Sequence, residues 1–232
     1  MPKNLPIFVA NLKANKNWPN LNSYLEKVLQ SALNLDSTII VCPSAPFLIS
    51  SAQKLKDINS PISLGAQDVS KFEEGPFTGE YSATQIKDYC SYSIVGHSER
   101  KKYFSENTGD VIAKVELLIK SQITPVLCIG SEDELEEYSN NELIQKSVSD
   151  IIFVHEPPGA ISSQKDYHPQ NPDEANIKAG EVKEKFKGGV ILYGGSVNNK
   201  NAKEFLSKEN IDGALIGQAS LNPEDFIAII TA

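Results

Sequence analysis

Thr38-Ile39-Ile40-Val41-Cys42 is an almost unbroken apolar run that stops at Pro43. A strand with one wet face alternates apolar and polar residues, whereas a strand covered on both faces reads as a continuous run. The run at 38–42 is of the second kind and points to a parallel sheet flanked by helices. Upstream, residues 7–10 (IFVA) make an earlier strand. Between the two, Leu21, Tyr24, Leu25, Val28, Leu29 and Ala32 recur near i, i+3, i+4, i+7, i+8 and i+11, the stripe of an amphipathic helix. Downstream the alternation continues, with strands expected at 63–67, 92–95, 125–129, 151–154, 190–193 and 213–216. Helices are expected over 46–58, 82–89, 111–121, 141–148, 173–186, 198–207 and 223–230.

That makes eight strands and eight helices, and 232 residues shared among eight units is about 29 each. Parallel strands joined by crossover helices need such spacing. An open doubly wound sheet also alternates, with about five or six strands. Eight units point instead to a closed (β/α)8 barrel, one α/β domain over 1–232. The polar, proline-containing stretch at 162–171 reads as an excursion within that domain.

Composition narrows the function classes. Lys plus Arg number 22 against 30 Asp plus Glu, a net charge of −8 with no long basic run, which argues against nucleic-acid or anionic-membrane partners. No stretch approaches the roughly 20 apolar residues of a membrane span. The first residues read as a strand and not as a secretion signal. Three cysteines, Cys42, Cys90 and Cys128, are odd in number and widely spaced, so neither a disulfide framework nor a zinc knuckle is expected and the cytoplasm is the default compartment. Histidines stand only at 97, 155 and 168, without metal-binding spacing. That weakens any metal-site reading.

In a barrel of this kind the chemistry sits at the C-terminal ends of the strands. Asn11 and Lys13 follow the first, and Lys13 is placed to project a point charge into the mouth. Gly96-His97-Ser98-Glu99-Arg100 follows the fourth, where His97 either packs half-buried or aims at a substrate oxygen. Glu156 follows the sixth, ahead of Pro157 and Pro158, and packing alone gives a poor account of a carboxylate there. It is a candidate general base. Tyr193-Gly194-Gly195-Ser196-Val197 and Ile216-Gly217-Gln218-Ala219-Ser220 follow the seventh and eighth. Two glycine-bearing turns at consecutive strand ends suit backbone N–H contacts to a phosphate.

These blocks, with Asn11-Leu12-Lys13 and Phe77-Thr78-Gly79-Glu80, resemble the triosephosphate isomerase family over essentially the whole chain. The weaker Asp212-Gly213, Leu215-Ile216-Gly217 and Ala219-Ser220-Leu221 agree. The resemblance implies interconversion of dihydroxyacetone phosphate and glyceraldehyde 3-phosphate through an enediolate, in glycolysis and gluconeogenesis. It implies Glu156 as the proton-shuttling base and His97 as a neutral electrophile, a tuning for which this family is itself a standard example. Lys13 and Asn11 would stabilise the developing oxyanion, and Glu99 would support Lys13 near a subunit interface. The phosphate would be held by N–H groups near Gly195, Ser196, Gly217 and Gln218 and by the lid residue Ser162. It implies a homodimer in which Thr78 tips a loop reaching into its neighbour.

The chain departs from the family pattern in places. Gly159 replaces a hinge tryptophan, Ser162 and Gln164 replace lid glycines, and Gln218 replaces the second glycine of the eighth loop. Pro76 replaces an alanine, and Ser131 stands where a glutamate is usual. Other phosphate-binding barrels fit less well. A metal-dependent epimerase needs more strand-end histidines, and a Schiff-base aldolase needs a lysine at the end of a central strand. A binding-only barrel would not retain all four catalytic side chains.

Overall fold

The computed structural model describes residues 5–157 and 170–232. Eight parallel strands close into a barrel in sequence order, β1 next to β8. They are β1 (Ile7–Asn11), β2 (Thr38–Cys42), β3 (Ser63–Ala66), β4 (Tyr92–Val95), β5 (Thr124–Ile129), β6 (Ile152–His155), β7 (Val190–Tyr193) and β8 (Gly213–Ile216). Around them run α1 (Trp18–Ala32), α2 (Leu48–Asp57), α3 (Ala83–Ile86), α4 (Ser98–Phe104), α5 (Thr108–Lys120), α6 (Glu132–Ser139), α7 (Glu142–Lys146), α8 (Pro172–Lys185), α9 (Ala202–Leu206) and α10 (Pro223–Ile230). The expected closed (β/α)8 architecture is the one observed.

Burial on both faces explains the continuous runs. In β2, Ile40 and Cys42 point into the barrel with Val9, Ile94, Val126, Cys128, Val154 and Leu192. Ile39 and Val41 point outward and pack under the helices with Phe8, Leu25 and Val28. Cutting either face open would expose residues worth about 1.5–3 kcal/mol each. Closure itself depends on one small residue. Ile7 pairs with Gly213 across the β1–β8 seam, and a Cβ at Gly213 would lie 1.9 Å from the Ile7 carbonyl oxygen.

Four strands match the sequence expectation to the residue, and the others shift by a residue or so. His155 is the last residue of β6 and not the first beyond it, and Asn11 ends β1. Two helices were not expected. The first, α4, is capped by His97, which is not among the residues that signal a helix start. The second, α6, is capped by Ser131 with Glu132, Asp133 and Glu134 in its first turn, which suits the helix dipole. Only Tyr138 of α6 is fully buried, so its sequence shows no apolar stripe. The helices expected at 82–89 and 198–207 are short, Ala83–Ile86 and Ala202–Leu206, because turns take up the rest.

Candidate active site

The end of β4 builds one wall. Gly96 takes φ +68°, and a Cβ there would meet the Cys128 carbonyl oxygen and a Val111 methyl, each at 3.2 Å. Only glycine turns the chain this tightly without strain. The turn delivers His97 to the start of α4, buried, where its Nδ1 accepts the Glu99 backbone N–H at 3.2 Å. A nitrogen that accepts carries no proton, so the ring proton sits on Nε2. That atom lies 3.2 Å from Glu156 Oε1.

Glu156 is 1% exposed, and a buried carboxylate needs donors. Ser98 supplies two, its backbone N–H to Oε2 at 2.9 Å and its hydroxyl to Oε1 at 3.0 Å. The Glu156 backbone N–H is tied to the Ile129 carbonyl at 2.9 Å. The carboxylate is therefore aimed by α4 while its main chain is fixed by β5. Below it, burial and then the charge of Glu156 push the Cys128 thiol well above its usual range, leaving it a packing residue.

Lys13 follows β1 and reaches the Glu99 beside His97. Its φ is +51°, an unfavourable region for a side chain with a Cβ. Three side chains hold it there. Asn11 Oδ1 accepts the Lys13 N–H at 3.1 Å, and both the Ser44 hydroxyl and the Gln67 amide donate to its carbonyl at 2.8 Å. The ammonium donates to Glu99 Oε1 at 2.7 Å and lies about as close as a Cβ on Gly217 would allow, 3.5 Å. Strained backbone clusters where a side chain must be presented in one direction.

Gly217 belongs to the third part. Gly195, Ser196, Gly217 and Gln218 line one cavity of about 490 Å³ together with Asn198 and Asn222. The Ser220 hydroxyl donates to the Gly217 carbonyl at 2.7 Å and so shapes that turn. Gln218, where a glycine was expected, is not among the positive-φ residues, so its substitution adds no backbone strain.

The structure thus brings together Asn11, Lys13, His97, Glu99 and Glu156, and groups Gly195, Ser196, Gly217 and Gln218 beside Lys13. Ser162, Pro158, Gly159 and Gln164 lie outside the described residues. Thr78 is exposed on the loop after β3. Among the described residues no group of three or more His, Cys, Asp or Glu side chains is placed to hold a metal ion. Sequence reading missed the supporting roles of Ser98, Ser44, Gln67 and Ser220. Ser98 was visible beside His97, but nothing in sequence says that it touches a residue 58 positions away.

The model of the triosephosphate isomerase family matches residues 6–232. The chain belongs to the triosephosphate isomerase family. A triosephosphate isomerase of Dictyoglomus thermophilum is 34% identical over 97% of this chain and 98% of its own, and one of Dehalococcoides mccartyi is 39% identical over 82% and 81%. The crystal structure of triosephosphate isomerase from Bartonella henselae superposes with a TM-score of 0.78 at 27% identity, covering 97% of both chains. Triosephosphate isomerases interconvert triose phosphates in glycolysis, and this chain is an isomerase of that family.

Proposed function

We propose that the isomerisation of dihydroxyacetone phosphate and D-glyceraldehyde 3-phosphate runs through Glu156, His97 and Lys13. The observation that carries the assignment is the 3.2 Å contact between His97 Nε2 and Glu156 Oε1, with the tautomer set from behind by the Glu99 N–H. Glu156 takes the proton from the carbon next to the carbonyl, and the electron pair moves onto the carbonyl oxygen. His97 Nε2–H and the Lys13 ammonium, with Asn11 beside it, are the donors waiting for that charge. The same carboxyl returns the proton to the neighbouring carbon while the hydroxyl proton passes, by way of His97 Nε2, to the former carbonyl oxygen, so atoms and electrons balance without a cofactor. The two partners are coupled. Oε1 accepts the Ser98 hydroxyl and lies 3.2 Å from His97 Nε2, so a substrate oxygen that takes the Nε2–H leaves the carboxylate held by Ser98 alone.

The phosphate sits in the cavity between the seventh and eighth strand ends, on N–H groups near Gly195, Ser196, Gly217 and Gln218, with Ser162 as the expected lid contact. Glu99 holds the Lys13 ammonium through the 2.7 Å pair. We read 1–232 as one domain acting in the cytoplasm. No helix among the described residues is long and apolar enough to cross a membrane. A coupled isomerisation assay tests the assignment. Glu156→Gln should lower kcat at least about a thousandfold with the circular dichroism spectrum unchanged, because the amide cannot take the proton. Retained turnover would remove Glu156 from the role.

We also propose a homodimer. Phe72 and Phe77 stack at 4.1 Å on the loop that carries Thr78, and Phe72, Tyr103 and Phe104 stay exposed in the single chain. Exposed aromatic side chains, one of them on the loop that carries Thr78, suit an isologous interface. A monomer mass by light scattering at micromolar concentration, with full activity, would overturn it.

A further inference from the structure

The base is aimed by α4 while its main chain is held by the end of β5, and one carboxylate outside the reacting set ties the two supports together. Ser131, at the position where the family carries glutamate, caps α6, and its hydroxyl accepts the Glu134 N–H at 3.2 Å. The cap turns Glu134 back toward the barrel. Its Oε2 accepts the Gly130 N–H at 2.8 Å and the Lys101 ammonium at 2.6 Å. Both side chains of the pair are mostly covered, 19% exposed for Lys101 and 17% for Glu134.

Each partner leads to Glu156. Lys101 lies one turn along α4 from Ser98, whose N–H and hydroxyl hold the carboxylate. Gly130 follows Ile129, whose carbonyl holds the Glu156 N–H, and it packs so closely that a Cβ on it would lie 3.4 Å from the Glu156 carbonyl oxygen. We propose that Glu134 is a positioning residue for the base, locking α4 to the end of β5 so that the Ser98 donors and the Glu156 main chain keep one relative placement. A carboxylate held by a backbone N–H and an ammonium in a mostly dry site resists displacement better than an exposed ion pair does. The Gly195–Gln218 cavity lies on other strand ends and shares no hydrogen bond with Glu134, so phosphate binding is left out of the linkage, whereas His97 and Glu99 travel with Ser98 on α4. The proposal rests on Glu156 being the base.

The test is steady-state kinetics on Glu134→Ala, Glu134→Gln, Lys101→Met and the double variant Glu134→Ala/Lys101→Met, with Glu156→Gln in parallel. Glu134→Ala is expected to lower kcat about tenfold with KM within twofold, and to enlarge the deuterium isotope effect on kcat for substrate labelled at the transferred position. Glu134→Gln, which still accepts the Gly130 N–H, should fall less. The double variant should be no worse than the poorer single variant, because both cut one linkage. Unchanged kcat in Glu134→Ala and Glu134→Gln while Glu156→Gln is inactive would overturn the positioning role and leave the base assignment standing. A rise in KM at constant kcat would also overturn it. Turnover in Glu156→Gln would instead bring down the base assignment, and the positioning role with it.

Discussion

His155 ends β6 directly before Glu156, and its titration ties the stability of that strand end to pH. Burial lowers its pKa from 6.5 to about 4, and the Lys178 charge pushes the same way, against the Gln170 side chain and the charge of Glu181, which favour the charged ring. The ring faces Tyr193 at 6.3 Å between centroids, and its Nε2 has no hydrogen-bond partner. The folded chain therefore keeps this imidazole neutral where the unfolded chain would protonate it. Between pH 6.5 and about 4 the unfolded state binds more protons, so stability falls as pH falls. At about 1.4 kcal/mol per pH unit, the loss reaches about 2 kcal/mol at pH 5 and about 3 kcal/mol once the pH has passed below the folded pKa. Above pH 6.5 the contribution is fully present. Urea denaturation at pH 7.5 and pH 5.0, at one protein concentration, reads it. His155→Phe keeps a ring in the site without the titration, and the carboxylates common to both proteins cancel in the comparison. The native chain should lose about 2 kcal/mol more than His155→Phe over that interval. Parallel losses would refute the buried neutral imidazole.

Two further outcomes follow from single contacts. Lys13→Met should lower kcat/KM by about a hundredfold or more, since a donor aimed at developing charge is lost. Its stability should move by less than about 1 kcal/mol, because the Lys13–Glu99 pair is partly exposed; a stability loss without a kinetic one, measured on the same preparation, would reverse this assignment. Gly213→Ala should destabilise the barrel by more than about 3 kcal/mol or prevent soluble expression, because the added carbon overlaps the Ile7 carbonyl at the closing seam. A melting temperature within a few degrees of the native chain would show that β8 can shift at little cost.

Sequence alone determined the architecture and the chemistry-bearing residue types, for a local reason. A strand buried on both faces must be apolar throughout, as at 38–42, and a helix on the barrel must show a stripe, as at 21–32, so eight units could be counted without coordinates. The strand ends then pointed to Asn11, Lys13, His97, Glu156 and the two glycine turns. Tertiary structure decided what those residues do to one another. The proton on His97 Nε2 follows from a backbone N–H two residues on, and the aim of Glu156 follows from Ser98, which lies 58 residues away in the chain. Helix α6 was illegible because a polar segment with one fully buried residue carries no periodic signal, although Ser131 caps it and Glu134 turns inward. The unfavourable φ of Lys13 is held by its neighbour Asn11 and by Ser44 and Gln67, which reach its carbonyl from two other strand ends. Local propensity reports how a segment folds; contacts between distant strand ends exist only after the barrel closes.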